Sequence, residues 1–206
     1  LRVPGRNTLK IYIPEIYYHL YSRGINRAAI FNDADDYQYF EWLLARSLSS
    51  TPIKDKKGRE YTWLRDIVTV NAYCLMPNHF HILAFQTGEN GISKLMSSVL
   101  TAYVLYFNKK YARRGPLFEN TYRAVPITRD QQLQHISRYI HLNHPEYATW
   151  PYSSYMDYVT APREWLEPKP ILDLFDSTEQ YKHYVADYED IQRANDKLKQ
   201  ELADYL

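Results

Sequence analysis

Two runs rich in apolar and β-branched residues, Asp66–Leu75 and His79–Phe85, are separated only by Met76-Pro77-Asn78. That spacing predicts two strands joined by a turn, the second running back along the first. Ile16-Tyr17-Tyr18-His19-Leu20-Tyr21 reads as an earlier strand, stopped by Arg23-Gly24. Between them, Asp33 to Ser50 reads as a helix, with Asp33, Asp35 and Asp36 favouring its N-terminal dipole and Tyr39, Phe40, Leu43 and Leu44 forming an apolar stripe. A polar loop spans 51–62. Gly91 to Tyr111 is a second long helix, with Ser93 as its cap and Leu95, Val99, Ala102 and Tyr106 at helical spacing. Arg114-Gly115-Pro116 breaks it. Tyr122 to Ile127 is a fourth strand, placed at a sheet edge because Pro126 cannot donate to a ladder. Thr128 to Asn143 is a helix that ends before Pro145.

The order β-α-β-β-α-β-α predicts an α+β fold, a ferredoxin-like βαββαβ antiparallel sheet followed by one more helix. Residues 146–206 add a loop and two helices as a C-terminal extension packed on the domain. The chain divides into an N-terminal segment (1–15), a central domain (16–145) and that extension.

At 206 residues and 45% hydrophobic content, the chain can bury a sizeable core. No apolar run reaches the length of a membrane span, and Leu1-Arg2-Val3-Pro4-Gly5 resembles no signal peptide. Cys74, the single cysteine, excludes an internal disulfide and suits a reducing compartment, so a cytoplasmic location is expected. The net charge of +1 hides an asymmetry. Residues 163–206 carry eleven acidic and six basic side chains, which leaves the first 162 at +6. Lys109, Lys110, Arg113, Arg114 and Arg123 cluster near Tyr106, Phe107 and Tyr111. That pattern suits phosphate contact with base stacking, and equally a solvated helix end. The acidic segment, with Tyr184, Tyr188 and Ile191 at helical spacing, is expected to pack on the domain; covering the basic patch by charge is the weaker alternative.

On a strand, residues two apart share a face, so His79 and His81 project together while Phe80, Ile82 and Ala84 turn to the other side. Two such imidazoles form half of a divalent metal site, although a bare His-x-His is more often a pair of ordinary strand histidines. Cys74 could add a zinc-type ligand, but reads better as a small buried hydrophobe.

Met76-Pro77-Asn78-His79-Phe80-His81-Ile82-Leu83 resembles the His-hydrophobic-His segment of the single-tyrosine HUH nucleases, and among them the REP-associated tyrosine transposases, relatives of insertion-sequence transposases. Four further stretches carry the likeness in consistent order: Tyr18-His19-Leu20 with Arg23-Gly24, Gly115-Pro116-Leu117-Phe118 through Tyr122-Arg123, Trp150-Pro151-Tyr152-Ser153-Ser154-Tyr155, and Ile171-Leu172-Asp173-Leu174-Phe175 with Tyr181. The resemblance spans about residues 16–186. It implies a nucleophile in Tyr139-Ile140-His141-Leu142-Asn143, where Tyr139 and Asn143 lie one helical turn apart. His135, one turn earlier, could look into the same site. Tyr103 and Tyr106 are the rival nucleophiles. The family commonly has Asn-Pro where this chain inserts His144 between Asn143 and Pro145.

By that resemblance the chain is a DNA transposase-type nuclease. It would cleave and rejoin hairpin-bearing single-stranded DNA through a 5′-phosphotyrosine. Mg²⁺ or Mn²⁺ would be held by His79, His81 and Asn143, and Lys109, Lys110, Arg113, Arg114 and Arg123 would contact the DNA backbone. No nucleotide cofactor and no membrane are implied, and a monomer is favoured over a dimer. A non-catalytic single-strand binder with the same fold is the first alternative. A zinc hydrolase using the same histidines is the second.

Overall fold

Four strands, β1 (Ile16–Arg23), β2 (Val68–Met76), β3 (His79–Gln86) and β4 (Arg123–Ile127), form an antiparallel sheet in the order β2-β3-β1-β4. This is the expected α+β, ferredoxin-like arrangement, seen in a computed structural model that describes residues 12–187. β4 lies at an edge, as Pro126 requires. The helices are α1 (Ala34–Leu48), α2 (Gly91–Lys110), α3 (Asp130–His141), α4 (Tyr155–Val159), α5 (Lys169–Leu172) and α6 (Thr178–Ala186).

Strand alternation sorts the sheet into two buried faces. Leu20, Tyr73, Leu75, Phe80, Ile82 and Ala84 meet Phe40, Leu43 and Leu44 of α1 and Leu95, Val99 and Tyr103 of α2. On the reverse, Ala72, Cys74, Leu83 and Ile127 meet Leu133, Ile136 and Ile140 of α3, with Tyr155, Tyr158, Ile171, Tyr181 and Val185 from beyond it. A one-residue slip of β3 would exchange these sets, so the two cores together fix the side to which the histidines point.

Two details depart from expectation. Ser93 does not cap α2: the capping position is Asn90, in the left-handed region at φ 63°, and the Ser93 side chain hydrogen-bonds Tyr122 instead. Gly91 explains why the helix starts so tightly, because a Cβ there would meet the Ile67 carbonyl oxygen at 2.8 Å. The extension holds three described helices rather than two, of only four to nine residues, too short to show a helical period.

That extension lies along the outer edge of β2. Leu75 N donates to the Tyr152 carbonyl, Ser154 N to that of Tyr73 and Trp150 Nε1 to that of Leu75. An edge that would otherwise be open to pairing is thereby covered. Tyr184 packs on α3 through Arg138 and His135, whereas Tyr188 and Ile191 lie outside the described residues. Among the described residues no helix is long and apolar enough to cross a membrane.

Candidate active site beneath the third helix

β3 places His79 opposite Arg23 of β1 and Met76 of β2, and His81 opposite Tyr21 and Cys74. Directly opposed residues share a face, so His19, Tyr21 and Arg23 join the histidines on the side covered by α3. Helix α3 docks there through Leu133, Ile136 and Ile140, which leaves Tyr139 half-buried at the margin. The Tyr139 ring stands edge-on to His81, with centroids 5.3 Å apart and planes at 82°. Tyr139, both histidines, Tyr21, Arg23, Glu119, Asn120 and Arg123 line one open cavity of about 380 Å³.

His79 is held at both ring nitrogens. Nδ1 lies 2.6 Å from Asn78 Oδ1 and Nε2 lies 2.9 Å from Asn143 Oδ1. Both partners are acceptors, and a neutral imidazole has one N–H to give. Burial pushes the His79 pKa down, and Arg23 acts in the same direction, while Asn143 opposes them. With the proton on Nδ1, the Nε2 lone pair faces an amide oxygen. The Asn143 side chain is also a hydrogen-bond partner of Tyr139. A separation of 2.9 Å matches the roughly 3 Å between adjacent ligands of an octahedral ion with bonds of about 2.1 Å. His81 is buried, its pKa well below the ordinary imidazole value through burial and its two histidine neighbours. Its Nδ1 contacts His19 Nε2 at 2.8 Å, which leaves Nε2 as the remaining nitrogen.

Two imidazoles and an amide therefore fit a hard divalent ion with open positions. They do not make a zinc site of the closed kind: among the described residues no three His, Cys, Asp or Glu side chains gather to hold a metal. Cys74 is fully buried with its thiol pushed up to about 12, and packs as a hydrophobe between α3 and the sheet.

Asn143 lies just past the end of α3 rather than on it, with its N–H on the Ile140 carbonyl. The closing turn still brings it under Tyr139. His144, the residue that departs from the family pattern, stacks on Trp150 at 3.8 Å and ties this turn to the extension.

Other expected site residues fall elsewhere. Tyr103 is fully buried on the opposite face, donating to the Ile30 carbonyl, and Tyr106 on the same helix stacks against Tyr39. His135 turns away toward Tyr184 and Arg138. Arg123 lines the cavity, and Lys109, Arg113 and Arg114 are exposed where α2 ends. Lys110 is exposed beside them but is ion-paired. Its ammonium lies 2.6 Å from Asp33 and 2.9 Å from Asp36, whose side chain is fully buried. Lys110→Ala therefore removes the cation of a buried carboxylate, which costs about 1–3 kcal/mol. A melting point lowered by roughly 3–9 °C, with hairpin DNA affinity within twofold of the unmutated protein, is expected; a large loss of affinity without a change in melting would return Lys110 to the DNA surface.

His19, Tyr21, Arg23, Glu119 and Asn120 were not legible as site residues. The first three had a signal, the alternation His19-Leu20-Tyr21-Ser22-Arg23, which places three polar or aromatic side chains on one face. Glu119 and Asn120 sit in a loop whose position depends on backbone bonds from Glu119 N to Arg23 and from Ile25 N to Leu117.

Residues 56–143 match the family of IS200-like transposases. The IS200-like stretch opens in the loop before β2 and closes at Asn143, so it contains both histidines, Tyr139 and the amide, and leaves out β1 with His19. A solved structure described as a REP-associated tyrosine transposase bound to a REP hairpin is similar in fold. The TM-score is 0.54 at 15% identity, over 75% of this chain and 86% of that one. No curated protein matches in sequence.

Proposed function

We propose that this protein is a single-strand DNA transposase-type nuclease, with Tyr139 as nucleophile and a Mg²⁺ or Mn²⁺ site formed by His79, His81 and Asn143. The observation that carries the reading is the convergence of Tyr139 and Asn143 from α3 on the two β3 histidines, at 5.3 Å between the Tyr139 and His81 rings and 2.9 Å from Asn143 to His79. The IS200-like match over residues 56–143 and the fold shared with a hairpin-bound transposase support the same reading. The proposed unit is a monomer, with residues 16–145 as the nuclease and the extension as its brace.

A divalent ion at this position supplies charge neutralisation on the non-bridging phosphate oxygens. The protein's own groups do the rest. The His79 and His81 rings are kept neutral by burial and so present lone pairs rather than positive charge. Arg23 and Arg123 stand at the cavity margin, where phosphates flanking the scissile bond can be held. Tyr139 has its pKa raised by burial, with the Asn143 amide opposing that rise by stabilising the phenolate. Its oxygen, after losing the phenolic proton, bonds to phosphorus as the bond from phosphorus to the 3′ oxygen breaks. One proton is then taken up by that oxygen, giving a 5′-phosphotyrosine and a free 3′-OH. Reversal by another 3′-OH rejoins strands with no energy cofactor.

Incubation of labelled hairpin-bearing single-stranded DNA with the protein and Mn²⁺ is expected to give a covalent protein–DNA band, absent in EDTA and lost in His81→Ala. Tight DNA binding with no covalent band under any metal condition would make the protein a binding module instead. A band that persists in EDTA would remove the metal from the reading.

A further inference from the structure

We propose that His19 is a positioning residue, which accepts the Nδ1 proton of His81 and so fixes His81 in the tautomer whose Nε2 lone pair faces the cavity. This rests on the nuclease reading above and adds to it a residue that lies outside the IS200-like match.

The geometry begins with register. His19 pairs with Leu83, so it is the diagonal rather than the direct neighbour of His81 across β1 and β3. Diagonal partners on one sheet face are within reach of long or aromatic side chains. Here the two rings are tilted by only 18°, and His19 Nε2 stands 2.8 Å from His81 Nδ1. That distance is a hydrogen bond between two neutral rings, so a single proton lies between them. The proton has two possible owners. If His19 holds it, the second nitrogen of His81 must carry the other ring proton, and Nε2 has no lone pair to offer. If His81 holds it at Nδ1, Nε2 is free to ligate. A ligating histidine has its orientation and tautomer set by the partner of its other nitrogen.

The far side of His19 shows what this arrangement costs. With His81 donating, the one proton of the neutral His19 ring sits on its Nδ1, which is buried and has no hydrogen-bond partner among the described residues, in a side chain only 1% exposed. A buried polar atom without a partner is uncommon in folded proteins and calls for an explanation. Phe or Leu at residue 19 would fill the space without that penalty. The imidazole at this position offers an acceptor aimed at His81, which neither hydrocarbon has. The ring also stacks on Tyr21, with centroids 4.9 Å apart, and stands edge-on to Tyr139 at 6.0 Å, so one side chain touches a metal-ligand candidate and the nucleophile candidate together.

Nitrogen-15 NMR of the unmutated protein in EDTA reads the tautomer directly. His81 is expected to be protonated at Nδ1, the reverse of the preference of a free histidine side chain. His19→Phe keeps an aromatic ring against Tyr21 and Tyr139 but removes the acceptor. It is expected to return His81 to the Nε2-protonated form and to weaken Mn²⁺ binding, read by electron paramagnetic resonance, by 10- to 100-fold. His19→Gln places an amide oxygen near the lost Nε2 and is expected to recover Mn²⁺ affinity to within a few-fold. Protonation of His81 at Nε2 in the unmutated protein overturns the proposal even if His19→Phe does not fold, as does unchanged Mn²⁺ affinity in a folded His19→Phe. Failure of the nuclease reading looks different: Mn²⁺ affinity would then be the same in His81→Ala as in the unmutated protein.

Discussion

Replacing Tyr139 by Phe is expected to abolish the covalent protein–DNA adduct, lowering cleavage by at least about 10⁴-fold, while DNA binding stays within about twofold. The change deletes one oxygen and keeps the ring, so the edge-on packing against His81 and His19 survives. What is lost besides the nucleophile is the hydrogen bond with Asn143. Asn143 is half-buried, so its freed amide can find water, and a stability loss of about 1 kcal/mol or less follows. The informative comparison is Tyr21→Phe. Tyr21 lines the same cavity, opposite His81 in the β1–β3 register, and so is the tyrosine positioned to compete among the described residues. Tyr21→Phe is expected to keep the adduct. If Tyr139→Phe retained the adduct and Tyr21→Phe lost it, the nucleophile would move to β1 and α3 would become a cover. Persistence of the adduct in both would mean that neither tyrosine attacks.

How much of this was visible beforehand depends on how local the signal is. The hairpin 66–85 and the long helices declare themselves because periods of 2 and 3.6 repeat over enough residues to be seen. His79 and His81 are one strand repeat apart, and Tyr139 and Asn143 one helical turn apart, so each pair is a local fact. Their meeting is not local. It depends on β1 lying between β3 and β4, which brings α3 back across the face that carries the histidines. His19 was hidden for the same reason: it sits 62 residues from its partner, on a strand whose alternation does not distinguish a site residue from a core one. Lys110 was illegible in another respect: its pairing with Asp33 and Asp36 comes from the start of a helix 74 and more residues away, which the neighbouring Lys109, Arg113 and Arg114 do not reveal. The three short helices of the extension carry too few residues for any period to register. They are held by long-range contacts to β2 and α3.

Acid is expected to unfasten the helix that carries Tyr139. His141, two residues beyond Tyr139 and two before Asn143, is fully buried between Ser154 Oγ at 2.8 Å and Tyr181 Oη at 2.7 Å. Ser154 in turn bonds the backbone of Tyr73, so the network ties the end of α3 to β2 and to α6. Burial pushes the His141 pKa down to about 3, and His19 likewise to about 3, with His81 also held well down. For each, the unfolded chain takes up a proton near pH 6.5 while the folded chain does not. Stability is therefore complete above pH 6.5 and is lost as pH falls toward 3, by about 1.4 kcal/mol per pH unit for each histidine. Two buried carboxyls work the other way. Glu41 is raised to about 7 and Asp157 to about 6, chiefly by burial, so the folded state gains as pH falls from those values toward the ordinary carboxylate range. Between about pH 6 and 4.5 His141 and His19 are offset by Glu41 and Asp157, so the loss there is shallow and is carried by His79 and His81, whose pKa values are also held down. Below about pH 4 the carboxyl gain is exhausted and the slope steepens, by about 3 kcal/mol per unit from His141 and His19 alone. Urea unfolding in EDTA across this range should show that two-slope profile. Stability that stayed flat or rose on acidification from pH 6.5 to 4 would refute the neutral, buried state of these histidines. His141→Gln supplies the local test: it should flatten the steep limb by about 1.4 kcal/mol per unit, while lowering stability at pH 7.5 by about 1–3 kcal/mol because Tyr181 and Ser154 lose part of their shared partner. A steep limb of unchanged slope in that variant would place the acid sensitivity elsewhere than at the seat of α3.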